Sequence, residues 1–231
     1  PPPPPPQFFF KADHGIRYSV ASRGLGDVYK RQHLKPLLED QDSMEALGDV
    51  ASSLALGAVP PAVAEALSLA RLTALRKRAN TVRGIATGDT LRRLVARTLA
   101  QQHGQASNEA CAPFQLAWST RAGTDAAAHF LRAATEMRDD ATIVALDGVG
   151  AYDHVSRAEM FRALLGNAEL APLLPYARTF YGRTSRYVWY DDDGACHEIR
   201  QGEGVEQGDA LSPAFFSLAL HQALVAANPR L

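Results

Sequence analysis

Apolar residues recur three and four positions apart through DSMEALGDVASSLALG (42–57), the spacing of one helix face. Pro60-Pro61 breaks the pattern, and PAVAEALSLARLTALRKR (61–78) resumes it with proline at the start of a second helix. GDTLRRLVARTLAQQ (88–102) predicts a third helix with Asp89 as N-cap. Between these two, ANTVRGIAT (79–87) is rich in β-branched residues and predicts a short strand. HGQASNEACA (103–112) has no period and reads as a loop, and TDAAAHFLRAATEMR (124–138) as a helix capped by Thr124 or Asp125. The texture then changes. ATIVALD (141–147) is a short apolar run ending in one acid, the pattern of a buried central strand. SRAEMFRALLG (156–166) predicts a helix between Ser156 and Gly166 as caps. SRYVWY (185–190) and ACHEIRQ (195–201) flank Asp and Gly residues as a β-hairpin does. LSPAFFSLALHQALVAA (211–227) predicts a helix entered through Ser212-Pro213.

The expected class is therefore α+β, a mixed α/β chain, with a mainly helical region at 33–138 leading into a mixed region at 139–231. At 231 residues with 46% hydrophobic and 21% charged positions, the composition supports a packed core. No apolar run approaches the ~18 residues of a membrane span, and no membrane partner is expected. The two cysteines, Cys111 and Cys196, have no metal-site spacing and read as free thiols of an intracellular, reducing compartment.

Residues 1–32 stand apart. Six prolines and a run of phenylalanines open the segment, and SRGLGDVYKRQ (22–32) resembles the translation of a transposase-type sequencing adaptor. HGIR (14–17) resembles a translated flow-cell adaptor. The segment is expected to be an artefactual or disordered tail and is set aside from functional reasoning. It holds five of the 24 basic and two of the 25 acidic residues, so the net charge of −1 becomes −4 without it. The local balance is more informative. Arg71, Arg76, Lys77, Arg78, Arg83, Arg92, Arg93 and Arg97 face only Asp89 within 71–102. That density suits either a solvated surface or a phosphate-binding one, and charge alone does not decide.

Two segments carry the candidate chemistry. Asp147 ends the apolar run and is followed by Gly148, Val149, Gly150, Ala151 and Tyr152. A carboxylate at a strand end, with small neighbours, can hold magnesium together with a nearby carbonyl, or it can simply end the strand. In EQGDALSP (206–213), Gln207 and Gly208 precede a helix entrance, and glycine lets a ligand approach the backbone closely.

Together, ATIVALDGVGAYDHVSR (141–157) and GVEQGDALSPAFFSLAL (204–220) resemble the first and second palm motifs of the reverse transcriptase family, particularly of non-LTR retroelements. TVRGIATGDTLRRLVART (81–98) resembles its fingers segment, with Gly84 where an Arg-Pro-Ile proline is usual, and PFQLAWSTRAGTDAAAHFLR (113–132) the segment between fingers and palm. The resemblance covers about residues 70–222 and implies an RNA-directed DNA polymerase, a nucleotidyltransferase with RNA template, DNA primer and deoxynucleoside triphosphates as partners. It implies a partial palm of antiparallel sheet plus helices behind helical fingers. By it, Asp147 is the catalytic and metal-binding residue, and the carbonyl of Gly148 helps. Tyr152 lies under the deoxyribose, Gln207 and Gly208 contact the incoming nucleotide, and Arg83 holds its triphosphate. Asp153 and Asp209 are read as local structural acids. The implied cofactor is a pair of Mg2+ ions.

The family's aromatic-x-Asp-Asp box has a look-alike at Tyr190-Asp191-Asp192-Asp193. The look-alike precedes the second palm motif, whereas the box follows it, and its downstream strand is polar, so an exposed hairpin turn is expected. No acid follows Pro213, which makes the two-ion site incomplete. The expectation is a chain lacking the rest of the palm and the thumb of its parent, and inactive alone. The alternative is a non-catalytic nucleic-acid-binding relic of a retroelement. A metal hydrolase built on Asp191–Asp193 is the third possibility.

Overall fold

The computed structural model describes residues 34–76, 82–118, 120–191 and 193–227, so the tail expected at 1–32, Lys77, Arg78 and Asp192 lie outside the described residues. The described chain is α+β, as expected. Helix α1 (Gln41–Ala55) follows a short 3-10 turn and is capped by Asp40, whose side chain accepts from the Ser43 amide. It buries Ala51, Leu54 and Ala55 along one face. Helix α2 (Pro61–Ser68) starts on proline as expected but is only two turns long. From Leu69 the chain becomes strand β1 (Leu69–Arg76), followed by β2 (Val82–Thr87).

The helix predicted over 61–78 is thus half strand. The reason is pairing. β1 sits in the sheet interior, antiparallel to β2 with Leu72 opposite Ala86, and parallel to β3 (Ser185–Tyr190) with Ala70 opposite Tyr187. Two ladders of backbone hydrogen bonds override a weak helical propensity. β4 (Cys196–Gln201) completes the order β2-β1-β3-β4 as the antiparallel partner of β3. This sheet joins segments from both sides of residue 138.

Helix α3 (Thr90–Gln102) is capped by Asp89, which accepts from the Leu91 amide. Residues 104–110, expected as loop, form helix α4 (Gly104–Ala110), which packs on α3 and on the last helix and buries Gly104 and Ser107. Helix α5 (Gly123–Met137) has no side-chain cap; Ala122 enters it in the left-handed region, and neither Thr124 nor Asp125 is the cap. A Cβ on Gly123 would meet the Leu116 carbonyl, so the approach of those two backbones fixes the helix start instead.

The expected strand at 141–147 does not form. The segment runs as unpaired chain, with Val144 72% and Leu146 92% exposed. A β-branched run becomes a strand only where a neighbour pairs with it, and no described strand does. A single turn, α6 (Ala151–His154), leads into α7 (Arg157–Leu165), capped by Ser156 and ended by Gly166 as expected. A second 3-10 turn and α8 (Leu174–Tyr181) follow, and α9 (Ser212–Ala227) is the final helix. The main core gathers Leu54 of α1, Val95 and Leu99 of α3, Met160 and Leu164 of α7, Tyr176 and Phe180 of α8, and Phe215 and Leu218 of α9. Cys111 is a buried free thiol and Cys196 an exposed one. Among the described residues no helix is long and apolar enough to cross a membrane.

Two glycines make opposite predictions. Gly204 has φ +78°, and a Cβ there would run into the Asp153 carbonyl. Gly48 lies inside α1 with open space where its Cβ would be. Gly204→Ala should cost about 2 kcal/mol or more, whereas Gly48→Ala should stabilise by about 0.5–1 kcal/mol. Urea midpoints of the two variants check both signs.

Candidate nucleotide-binding junction

Of the residues singled out in the sequence, Gln207, Gly208 and Tyr152 come together around one loop, while no described contact joins Arg83, Asp147 or Gly148 to it. Gln207 and Gly208 form the turn of a loop that runs from Glu203 to the start of α9, and both are partly exposed. A Cβ on Gly208 would collide with the carbonyl of Ala86, so glycine lets this loop lie directly against β2. β2 is the strand that carries Arg83, three residues before Ala86 and exposed. Tyr152 lies on the loop's other side. Its carbonyl accepts from the Val205 amide at 2.7 Å, and the Val155 carbonyl accepts from Gly204 at 2.9 Å. The Tyr152 ring is half-buried, stacked on Phe216 of α9 at 4.9 Å, and burial raises its pKa. Loop 204–208 is therefore held between the Tyr152 turn and β2. Asp147 and Gly148 precede that turn on exposed, unpaired chain.

The loop is set by charged groups, one of which, Arg92, the sequence pattern placed in a basic cluster instead. Arg92 is 1% exposed. Its Nη1 donates to Glu206 Oε1 at 3.2 Å and its Nη2 to Asp209 Oδ2 at 3.4 Å. Nη2 also lies 2.9 Å from Glu206 Oε2, an ion-pair contact without an aligned hydrogen bond. The guanidinium stacks over Phe180 at 4.3 Å, with Tyr181 at 5.8 Å. Asp209 further accepts from the Tyr181 hydroxyl at 2.7 Å and, through Oδ1, from the Leu211 amide at 2.9 Å. It is a structural acid, as expected. Helical spacing carried the missed signal, because Arg92 stands three, four and seven residues before the buried Val95, Ala96 and Leu99.

Arg157 of α7 repeats the device. It donates to the carbonyls of Gly204 (2.8 Å) and Arg183 (2.7 Å) and to Ser185 Oγ (2.8 Å), while its own amide donates to Glu203. Two buried guanidinium groups thus fasten the two ends of one loop.

Burial and the nearby Asp209 charge push the Glu206 carboxyl up to about 7, against the pull of Arg92. Burial opposes the charge on Arg92, but Glu206, then Tyr176, Tyr181 and Asp209, outweigh it and raise the guanidinium further. Tyr181 is raised by burial first and then by Asp209 and Glu206, so it stays a neutral hydroxyl that donates.

Asp191 and Asp193 lie in a turn between strands, and Asp192 lies outside the described residues. Asp191 accepts from the Ala195 amide at 2.8 Å and contacts His197 Nε2 at 2.6 Å, in the hairpin between β3 and β4. Among the described residues no three His, Cys, Asp or Glu side chains are grouped to hold a metal ion. Asp147 and the Gly148 carbonyl alone do not make a two-ion site.

No family model matches the chain. It is similar to the 132 kDa protein of the retrotransposable element SLACS from Trypanosoma brucei gambiense, at 25% identity over 202 residues. The aligned region covers 86% of this chain and 16% of that protein. The similarity supports a retroelement-related origin.

The raised Glu206 pKa has a sign that can be checked. Between its ordinary value of 4.5 and about 7 the folded chain holds a proton that the unfolded chain has released. Stability from this group is therefore present below pH 4.5 and lost as pH rises through 7. From pH 5 to pH 8 the wild type should lose about 2–3 kcal/mol relative to Glu206→Gln. Urea unfolding of both proteins across that range measures it, and parallel pH profiles would refute it.

Proposed function

We propose that this chain is the fingers and part of the palm of an RNA-directed DNA polymerase from a retroelement. The observation that carries the reading is the junction itself. Gln207 and Gly208, Tyr152 and the strand bearing Arg83 are distant in sequence yet meet around one loop, in a chain similar to a retrotransposon protein.

In this reading the exposed Arg83 guanidinium takes the triphosphate as a bidentate donor. Gln207 and the open backbone at Gly208 contact the incoming nucleotide. Tyr152, fixed by its stack on Phe216, presents its ring edge under the sugar and disfavours a 2′-hydroxyl. Asp147, with the Gly148 carbonyl, is the donor proposed for magnesium, which in nucleotidyl transfer would stabilise charge on the reacting phosphate. Further carboxylates are needed for two ions, so polymerisation is proposed for a protein that also supplies them and not for this chain by itself. RNA template and DNA primer are the proposed partners. The exposed Arg71 and Arg83 are their first candidate phosphate contacts.

Primer extension on an RNA template, with a longer protein containing this chain, tests the reading. Asp147→Asn should lower extension about a thousand-fold, since metal-mediated charge stabilisation is worth several kcal/mol. Tyr152→Ala should raise ribonucleotide incorporation. Undiminished extension by Asp147→Asn would sink the assignment. Salt-sensitive RNA binding without any extension would favour a non-catalytic binding role.

A further inference from the structure

We propose that Arg92 is a positioning residue, whose buried guanidinium grips the two carboxylates that bracket Gln207 and Gly208 and so fixes the pose in which that turn meets a nucleotide. The inference rests on the reading of Gln207 and Gly208 as nucleotide-contacting positions.

The geometry is specific to a fork. Glu206 and Asp209 stand on either side of the turn, and the guanidinium reaches Glu206 with Nη1 and both carboxylates with Nη2. A lysine ammonium on a flexible stem offers no such pair of fixed directions. The arginine is itself immobilised. Phe180 lies under its plane, the Tyr176 hydroxyl donates to its carbonyl at 3.4 Å, and α3 is anchored by Val95, Ala96 and Leu99. In the same turn, the Ala86 carbonyl of β2 leaves no room for a side chain at Gly208. The turn is thus restrained both by β2, through Gly208, and by Arg92, through its two flanking carboxylates.

Stability alone does not account for the cluster. Burying a cation with two anions costs desolvation that their attraction only partly returns, and well-packed apolar side chains often serve as well or better. What charges in fixed directions do provide is a defined position. A displacement of about 1 Å in a reacting assembly can cost about a hundred-fold in rate.

The test uses the full chain with Arg92→Lys, Arg92→Gln and Glu206→Gln. The groups facing Glu206 are otherwise retained: Asp209 on the loop, Arg157 on α7, Tyr176 and Tyr181 on α8, and Tyr187 on β3. Amide exchange at Asp209, Leu211 and Ser212 is read together with affinity for a fluorescent deoxynucleoside triphosphate on an RNA-templated DNA primer. Both are measured below the lowest melting midpoint. Arg92→Lys and Arg92→Gln should speed exchange and weaken affinity by about tenfold or more, with Glu206→Gln between them and the wild type. Lower melting points with wild-type exchange and affinity would overturn the proposal. So would faster exchange with unchanged affinity. If Arg92→Gln does not fold, Arg92→Lys and Glu206→Gln decide on the same terms. Faster exchange in a chain whose wild type binds no nucleotide would leave the clamp standing and overturn the nucleotide reading instead.

Discussion

A guanidinium taken out of water must be met by anions, and in this chain that requirement ties together segments more than a hundred residues apart. Arg92 sits on the core-facing side of α3 and is one of the largest fully buried side chains of the described residues. Its charge obliges Glu206 and Asp209 to come to it. Because those two acids bracket Gln207-Gly208, meeting the charge also sets the loop. Asp209 in turn accepts from the Leu211 amide at the entrance of α9 and from Tyr181 at the end of α8. The start of one helix, the end of another and the candidate site are thus set by one cluster. The second buried arginine, Arg157, spans from the Gly204 carbonyl to Ser185 at the start of β3, and so couples the loop to the sheet.

The sequence disclosed most where local chemistry is decisive. Asp89 and Ser156 as caps, Gly166 as a helix end, Pro61 as a helix start and the Asp-Gly hairpin were all legible, because each acts within a few residues of itself. The misses are those that depend on distant partners. LARLTALR is helical by spacing but sits between two strands. ATIVALD has strand composition but no described neighbour to pair with. Arg92 looked like one more member of a basic patch because charge counts ignore direction. Its place on the Val95, Ala96, Leu99 face was available from the same helical period that identified α3.

At the candidate site, residue types were legible and their meeting was not. Nothing in the spacing of Tyr152, Ala86 and Gly208 states that one loop touches both of the others. Glycine supplies the link twice. Gly204 takes a left-handed backbone against Asp153, and Gly208 admits the Ala86 carbonyl. Both positions need the absence of a side chain more than any group it could bring. That is why a motif of small residues can mark a site whose chemistry is done by its neighbours.

The contrast between the two halves of the candidate site follows from these restraints. Loop 204–209 is enclosed by two buried arginines, two close backbone approaches and the start of α9, so its geometry is over-determined. Residues 141–149 have no such restraints, and their apolar side chains Ile143, Val144, Leu146 and Val149 lie open to water. Exposed β-branched chain of this kind gains from any strand that pairs with it. Asp147 would then take a fixed direction only once pairing fixed the backbone on which it stands. In physical terms, loop 204–209 is fixed by the described residues themselves, while residues 141–149 have no described strand to pair with.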